Sequence, residues 1–235
     1  APFKNAPNAK QNGYREWSPS VVVDSIERAV IDHGAVQGKL ADELPKPKHL
    51  ESICDEMIKR GLGLKTKWWS YQRPDTVNER LIQKFREAGG HTIGFGVESV
   101  DETVRAGVDK GFKTDCIYRV REWCKKHDVG FGCNVIFGLP DDTIYSMHLT
   151  LMMVCQLLPE YANMYCAMPY PGSSLYDQVS REHPEWLPET WDGYSQHHYL
   201  TKPLPTKYVS AEEVLRFRDQ AWLTYHTYQP YLDLL

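Results

Sequence analysis

The sequence predicts an α/β fold built around a parallel sheet, and three observations support this prediction. Of the 235 residues, 42% are hydrophobic, which is enough to fill one large core. From residue 18 onwards, apolar strand-like runs alternate with amphipathic helical runs. The strand-like runs are almost continuously apolar, as in strands buried on both faces. Such alternation needs crossover connections, so we expect an open or closed β/α barrel or a doubly wound sheet.

The first half of the chain contains an opening helix and three strand–helix repeats. A helix comes first, capped by Ser18 and opened by Pro19, and it runs to Gly34. Strands are expected in the apolar runs that follow: VQGKLADEL (36–44), LKTKWWSYQR (64–73) and HTIGFGVES (91–99). A helix is expected after each of these strands. The first begins at Pro47, the second is capped by Asp75 and the third is capped by Thr114.

The second half completes the series and then changes character. A strand in GFGCNVIFGLP (130–140) precedes a long apolar helix over about 143–158, and the last strand lies in YANMYCAMPY (161–170). After Pro171 the chain is rich in Trp, Tyr, His and Pro, and it closes with a helix from Ser210 to about Tyr225. This part reads as a C-terminal extension packed on the barrel.

Charge and cysteine usage exclude several classes of function. A net charge of -4 and a pI near 6.2 give no general attraction to nucleic acid or to anionic membranes. There is no apolar run long enough to span a membrane. The six cysteines form no CxxC or other short metal-type spacing, so we expect free, buried thiols in the reducing cytoplasm. A small-molecule or peptide substrate is the expected partner.

The carboxyl ends of the predicted strands carry the candidate functional residues, because parallel α/β folds build their sites there. Glu43 and Glu98 end two different strands and are expected at the same edge of the sheet. Gly94 and Gly96 remove side chains from one face of the strand before Glu98, so a flat group could lie there. Gly138 likewise removes a side chain just before Pro140, either for a tight bend or for a ligand.

These residue types leave several functions open. Paired carboxylates suit acid–base catalysis in a hydrolase or lyase, a divalent metal, or a ligand's ammonium and hydroxyl groups. Each acid could also simply cap the helix that follows it. Arg73, which precedes Pro74 and Asp75, fits either a clamp for a substrate carboxylate or a salt bridge within its loop.

Four segments, in this order and spacing, resemble the radical S-adenosylmethionine (radical SAM) enzymes: LADEL, GFGVES, NVIFGLPDD and MPYPGSSLY. The resemblance covers roughly residues 14–180 and is strongest to the subgroup associated with a cobalamin-binding domain. It implies a partial β/α (TIM-like) barrel with parallel strands that lacks its first strand, plus a mainly helical C-terminal extension. It divides the chain into a loop over 1–17 that follows the cluster motif, the barrel over 18–180 and the extension over 181–235.

The resemblance also implies residue roles. Glu43 would receive the methionine ammonium of SAM, while Glu98 and Ser99 would face the ribose or the methionine carboxylate. The residues that would border the adenine are Ile136, Gly138, Met168, Pro169 and Tyr170. The family uses a 4Fe-4S cluster to cleave SAM reductively into a 5′-deoxyadenosyl radical, with an electron donor such as flavodoxin or ferredoxin, and the subgroup adds cobalamin in a separate upstream domain.

The family's three closely spaced cluster cysteines have no counterpart in this sequence. By analogy the chain begins just after the third of them, so the cluster ligands are expected upstream and this chain alone is expected to be inactive. Smaller departures are Asn134, Asp141 and Pro45, which stand where family members commonly carry a glycine, a glutamate and an aromatic residue. The alternatives are a β/α-barrel hydrolase or lyase that uses Glu43 and Glu98 as acid and base, and a non-catalytic ligand-binding domain.

Overall fold

A computed structural model describes residues 15–42, 44–108 and 110–234 of the chain. In this part of the chain, five parallel strands form one sheet in the order of the sequence. The strands are β1 (Gln37–Lys39), β2 (Lys67–Gln72), β3 (Gly90–Glu98), β4 (Gly130–Phe137) and β5 (Tyr161–Cys166). Neighbouring strands are consecutive in sequence and parallel, so each connection crosses over the same face, as in a β/α barrel.

One helix precedes the first strand, and the other helices lie between the strands or after the last one. The helices are α1 (Pro19–His33), α2 (Pro47–Lys59), α3 (Glu79–Glu87), α4 (Glu102–Ala106), α5 (Asp115–Lys126), α6 (Ile144–Leu157), α7 (Ser174–Glu182), α8 (Ala211–His226) and α9 (Gln229–Leu232). Short 3-10 helices lie at Leu62–Leu64, Pro184–Trp186 and Trp191–Tyr194. Within the described residues, none of the helices has the length and apolar composition needed to cross a membrane.

The core lies between the helices and one face of the sheet. Alternate residues of β3 and β4, such as Phe95 and Phe131, are fully buried and stack with ring centroids 5.0 Å apart. Helix α8 of the extension joins the same core, since Phe217 packs edge-on against Phe137 at 5.0 Å and the Tyr225 hydroxyl donates to the Pro159 carbonyl. The opposite face of the sheet carries aromatic and amide side chains, because successive strand residues point to opposite faces.

The predicted fold class is confirmed: a partial β/α barrel with parallel strands, followed by a mainly helical extension. The prediction that Asp75 caps the third helix is wrong. Asn78 caps α3 by accepting from the Leu81 backbone N–H at 2.9 Å, whereas both Asp75 carboxylate oxygens accept from Arg73 at 3.0 Å. Of the two roles that the sequence allowed for Arg73, the structure shows the salt bridge within its loop.

Several boundaries differ from the sequence predictions. The strand expected over 36–44 is reduced to three exposed residues, and the strand expected over 161–170 ends at Cys166. Three helices of the described chain, α4, α7 and α9, were not predicted, because they are short and their apolar residues form no extended repeat. The division at residues 17 and 180 stays a prediction, and residues 1–14 of the predicted N-terminal loop lie outside the described part.

Candidate functional site

A cavity of about 640 Å³ opens at the carboxyl ends of β3, β4 and β5. Its walls are mostly apolar, and one carboxylate, one ammonium and one amide enter it. The lining residues are Glu98, Val108, Lys110, Ile136, Leu139, Tyr165, Cys166, Ala167, Met168, Tyr170, Leu175 and Gln196. An apolar pocket of this size with few polar groups suits a small ligand with a flat, weakly polar part.

Glu98 enters this cavity because the backbone at the end of β3 is bent. The pairing register of β3 with β4 shifts between Gly96 and Glu98, which is a bulge that redirects the side chain. Glu98 has a φ of 64°, and the Ser99 N–H donates to the Val97 carbonyl at 2.9 Å, so Glu98 is the central residue of a γ-turn. Backbone of this kind is strained, and such strain is concentrated at functional sites.

Lys110 forms an ion pair with Glu98 inside the cavity. The pair lies over the bare backbone of Gly96, where an added Cβ would be 2.9 Å from Lys110 Nζ and 3.0 Å from Glu98 Oε1. Gly96 thus makes room for the ion pair. The cavity therefore contains an acceptor and a donor side by side, which suits a ligand with both hydroxyl and carboxylate groups.

The loop that carries Lys110 is fixed by Arg105, whose side chain is fully buried. Its guanidinium donates to the Ser99 carbonyl at 2.5 Å, to the Phe112 carbonyl at 2.8 Å and to the Thr114 hydroxyl at 2.9 Å. Burial lowers the pKa of Arg105 from its ordinary value, with nearby acids opposing this. Arg105 holds both ends of the loop and thereby places Lys110 over Glu98.

The sequence-predicted residues other than Gly138 fall into three groups. Glu98, Ile136, Met168 and Tyr170 line the cavity together. Ser99 and Pro169 are neighbours of lining residues but do not line the cavity themselves. The buried Ser99 hydroxyl lies 3.2 Å from that of Thr150 in α6. Glu43 lies outside the described residues.

A glycine is needed at position 138 for a structural reason. Its φ is 78°, and an added Cβ would overlap Val214 Cγ1 of α8 and lie 3.1 Å from Cγ2. Its missing side chain therefore makes room for α8. A contact of Gly138 with adenine stays a prediction, and it would have to use the backbone.

The flat group expected over Gly94 is supplied by the chain itself. The ring of Tyr161 lies across the open face of the sheet, where a Cβ on Gly94 or on Gly132 would overlap it. The same Cβ on Gly94 would also be 2.6 Å from the ring of Tyr71. These two glycines therefore position an aromatic wall, and the open space for a ligand lies further along, beyond Gly96.

The two aspartates after β4 hold the loop to its neighbours. The buried Asp142 accepts from the Leu139 N–H at 3.0 Å and from the Ser146 hydroxyl at 2.6 Å, and burial raises its pKa from 3.8 to about 6. Asp141 forms an ion pair with Lys207 of the C-terminal extension. Thr143, the cap of α6, and Ser146 form a capping box. Both carboxylates are engaged within the protein.

The cysteines offer no cluster site. All six are free, and four of them are buried: Cys54, Cys124, Cys133 and Cys166. Across residues 15–42, 44–108 and 110–234, no group of three or more His, Cys, Asp or Glu side chains could hold a metal ion. These residues therefore do not fit a 4Fe-4S cluster, whose iron needs closely grouped thiolates.

Sequence reasoning missed two polar residues of the cavity, Lys110 and Gln196. Lys110 lies in a polar loop with no motif, although it is a cation that closely follows a strand-end acid. Gln196 comes from the extension and has no sequence signal, because its position depends on long-range packing. Its side-chain amide accepts from the Cys166 N–H and donates to the Cys166 carbonyl, both at 2.9 Å.

No family model matches the chain. Among curated proteins, it is 29% identical over 210 residues to the anaerobic magnesium-protoporphyrin IX monomethyl ester cyclase of Cereibacter sphaeroides, covering 86% of this chain and 33% of the relative. It is 30% identical over 171 residues to the cyclase of the same name from Rubrivivax gelatinosus, covering 71% and 30%. The chain thus spans about a third of the length of these curated relatives.

The fold is similar to that of a solved structure of TsrM, described as a radical S-adenosylmethionine methyltransferase from Kitasatospora setae with cobalamin and a 4Fe-4S cluster bound. The TM-score is 0.65 at 16% identity, and the match covers 87% of this chain and 38% of TsrM. At this level of identity, the likeness concerns the fold.

Proposed function

We propose that this chain, a relative of the radical SAM enzymes in sequence and in fold, is the SAM-binding core of an enzyme that cleaves SAM reductively. The resemblance recognised in the four sequence segments is confirmed by the comparisons. One structural observation carries the proposal further: Glu98, Ile136, Met168 and Tyr170, which the resemblance implicates in SAM binding, line one cavity at the carboxyl edge of the sheet.

The residues of this cavity suit the parts of SAM. Glu98 would accept hydrogen bonds from the ribose hydroxyls, since a carboxylate accepts from two donors at once. Ile136, Met168 and Tyr170 would enclose the flat, weakly polar adenine. Glu43 would receive the methionine ammonium, and the apolar walls would exclude water from the bound cofactor. The roles of Ser99, Gly138 and Pro169 would be limited to backbone contacts or to support of their neighbours.

The 4Fe-4S cluster supplies the electron for cleavage of SAM when it is bound. Since the described residues do not fit the cluster, we propose that its ligands lie elsewhere in the polypeptide. Cobalamin in a further domain is proposed because TsrM carries it. The whole protein would act on a small-molecule or peptide substrate, receive electrons from a flavodoxin or ferredoxin, and work in the cytoplasm, where free thiols persist.

The acid–base alternative is not favoured by these observations. It pairs Glu98 with Glu43 as acid and base, whereas the Glu98 carboxylate forms an ion pair with Lys110. The magnesium-protoporphyrin cyclases and the fold of TsrM also point away from a hydrolase.

Binding of S-adenosylhomocysteine, the thioether analogue of SAM that lacks the sulfonium charge, tests the proposal by isothermal titration calorimetry. The wild-type chain is expected to bind it, and Glu98→Gln is expected to bind about tenfold more weakly, because one charge-assisted acceptor is lost. Glu122→Gln is the matched control, since Glu122 is exposed on α5, away from the cavity. Absence of binding by the wild-type chain, or equal binding by the Glu98 variant, would contradict the proposed site.

The reaction itself needs the polypeptide that includes the cluster ligands. After anaerobic reconstitution with iron and sulfide, and with dithionite as reductant, it is expected to release 5′-deoxyadenosine from SAM. A reconstituted protein that contains the cluster but releases none would refute the proposed reaction and leave the binding result standing.

A further inference from the structure

The last strand of the sheet, β5, lies at an open edge, and the C-terminal extension covers it with a side chain. Strand edges present unpaired backbone groups that must find partners. The Gln196 amide meets both groups of Cys166, accepting from its N–H and donating to its carbonyl at 2.9 Å each. An adjacent strand would supply the same pair of hydrogen bonds.

The chain around Gln196 continues this contact along the end of the sheet. The Leu204 N–H donates to the Ala167 carbonyl at 3.2 Å, and the Lys207 N–H donates to the Pro140 carbonyl at 3.1 Å. The Thr206 hydroxyl donates to the Asp142 carbonyl at 2.8 Å. We name residues 196–207 the edge segment, because they bond to the exits of β4 and β5 in place of a further strand.

Gln196 is itself held in place from the core side. Arg218 of α8 is 7% exposed, and its guanidinium donates to the Gln196 backbone carbonyl at 2.6 Å and to Asp219 at 2.6 Å. The Gln196 amide also lies 3.3 Å from the Tyr170 hydroxyl. A chain of contacts thus runs from α8 through Gln196 to two residues of the cavity wall, Cys166 and Tyr170.

We infer that Gln196 is a positioning residue for the ligand cavity: it fixes the wall formed by the end of β5 and the residues up to Tyr170. This inference rests on the proposed SAM-binding function. The wall carries Met168 and Tyr170, whose placement depends on the backbone at Cys166. Loss of the amide leaves two buried backbone groups without partners, so the wall shifts or exchanges with solvent.

The test compares Gln196→Ala with the wild-type chain and with Gln178→Ala, a control at an exposed glutamine of α7. S-adenosylhomocysteine is the probe in calorimetry. Gln196→Ala is expected to bind it about tenfold more weakly, and Gln178→Ala as tightly as the wild type. Gln196→Glu keeps the side-chain size and one acceptor but cannot donate when ionised, so an intermediate loss is expected.

Hydrogen–deuterium exchange read by mass spectrometry separates positioning from general destabilisation. In Gln196→Ala, faster exchange is expected in the peptide over 161–168 and unchanged exchange in α1. Binding by the variant within twofold of the wild type, or faster exchange throughout the chain, would overturn the inference alone. Failure of the wild-type chain to bind the probe would overturn the proposed function and the inference with it. If Gln196→Ala does not fold, the probe affinity and the hydrogen–deuterium exchange of Gln196→Glu test the inference by the same criteria.

Discussion

Replacement of Gly138 by alanine tests why a glycine ends β4. Two costs follow from the structure. The φ of 78° lies in the left-handed region, where a side chain costs about 1–2 kcal/mol. The new methyl group would also overlap Val214, which is fully buried in α8, and overpacking of this kind costs about 1–3 kcal/mol. The free energy of unfolding should therefore fall by about 2–5 kcal/mol.

Urea unfolding followed by circular dichroism measures this loss, and Gly34→Ala supplies the matched control. Gly34 has a φ of 65°, but an added Cβ would meet nothing within 4 Å. Gly34→Ala should show only the backbone cost of about 1–2 kcal/mol. The difference between the two variants isolates the contact with α8.

A double variant tests whether the contact with Val214 causes the additional loss of stability. Val214→Ala removes the two methyl groups that a Cβ at position 138 would meet, and it costs about 2 kcal/mol through lost apolar burial. If the clash is real, Gly138→Ala with Val214→Ala should be more stable than the sum of the single losses by about 1–3 kcal/mol. Additive losses, or a Gly138→Ala loss no larger than that of Gly34→Ala, would refute the reasoning.

Two further predictions concern titration and reactivity. The pKa of Asp142, raised by burial to about 6, means that the folded state holds this proton more tightly than the unfolded state. Stability from this group is present at low pH and is lost as pH rises through about 6; Asp142→Asn should lack this decline, worth about 2–3 kcal/mol, in urea unfolding at successive pH values. An unchanged pH profile would contradict this. With iodoacetamide and detection by mass spectrometry, Cys116 and Cys155 should be alkylated before the buried thiols, because both are partly exposed, while burial raises the pKa of Cys124 and Cys166 to about 12. Cys116 should react before Cys155, because burial also raises the pKa of the Cys155 thiol. Labelling of the buried thiols at the rate of Cys116 would count against the structure.

The helices and strands were largely predictable, because their apolar repeats depend only on local sequence. The cap of α3 was not, since Asp75 and Asn78 are both good capping residues and only the salt bridge with Arg73 decides between them. The strand predicted over 36–44 was too long because β1 is an edge strand with few partners.

The candidate site was predictable only in part. Ile136, Met168 and Tyr170 could be named because the resemblance to the radical SAM enzymes implies them, and Glu98 because it lies at a strand end. Ser99 and Gly138 follow the same rule, yet the bulge in β3 turns Ser99 toward α6 and the close approach of α8 occupies the space beside Gly138. Lys110 and Gln196 could not be named, because their places depend on a buried arginine and on a segment about 30 residues further along the chain.

The edge segment has a consequence for where this protein can be shortened. A cut near residue 180, at the boundary suggested by sequence, would remove the partners of Cys166 and Ala167 and uncover a strand flanked by aromatic side chains. Uncovered strands of this kind recruit other chains into intermolecular sheets. We therefore expect a chain cut near residue 180 to aggregate more readily than the full chain.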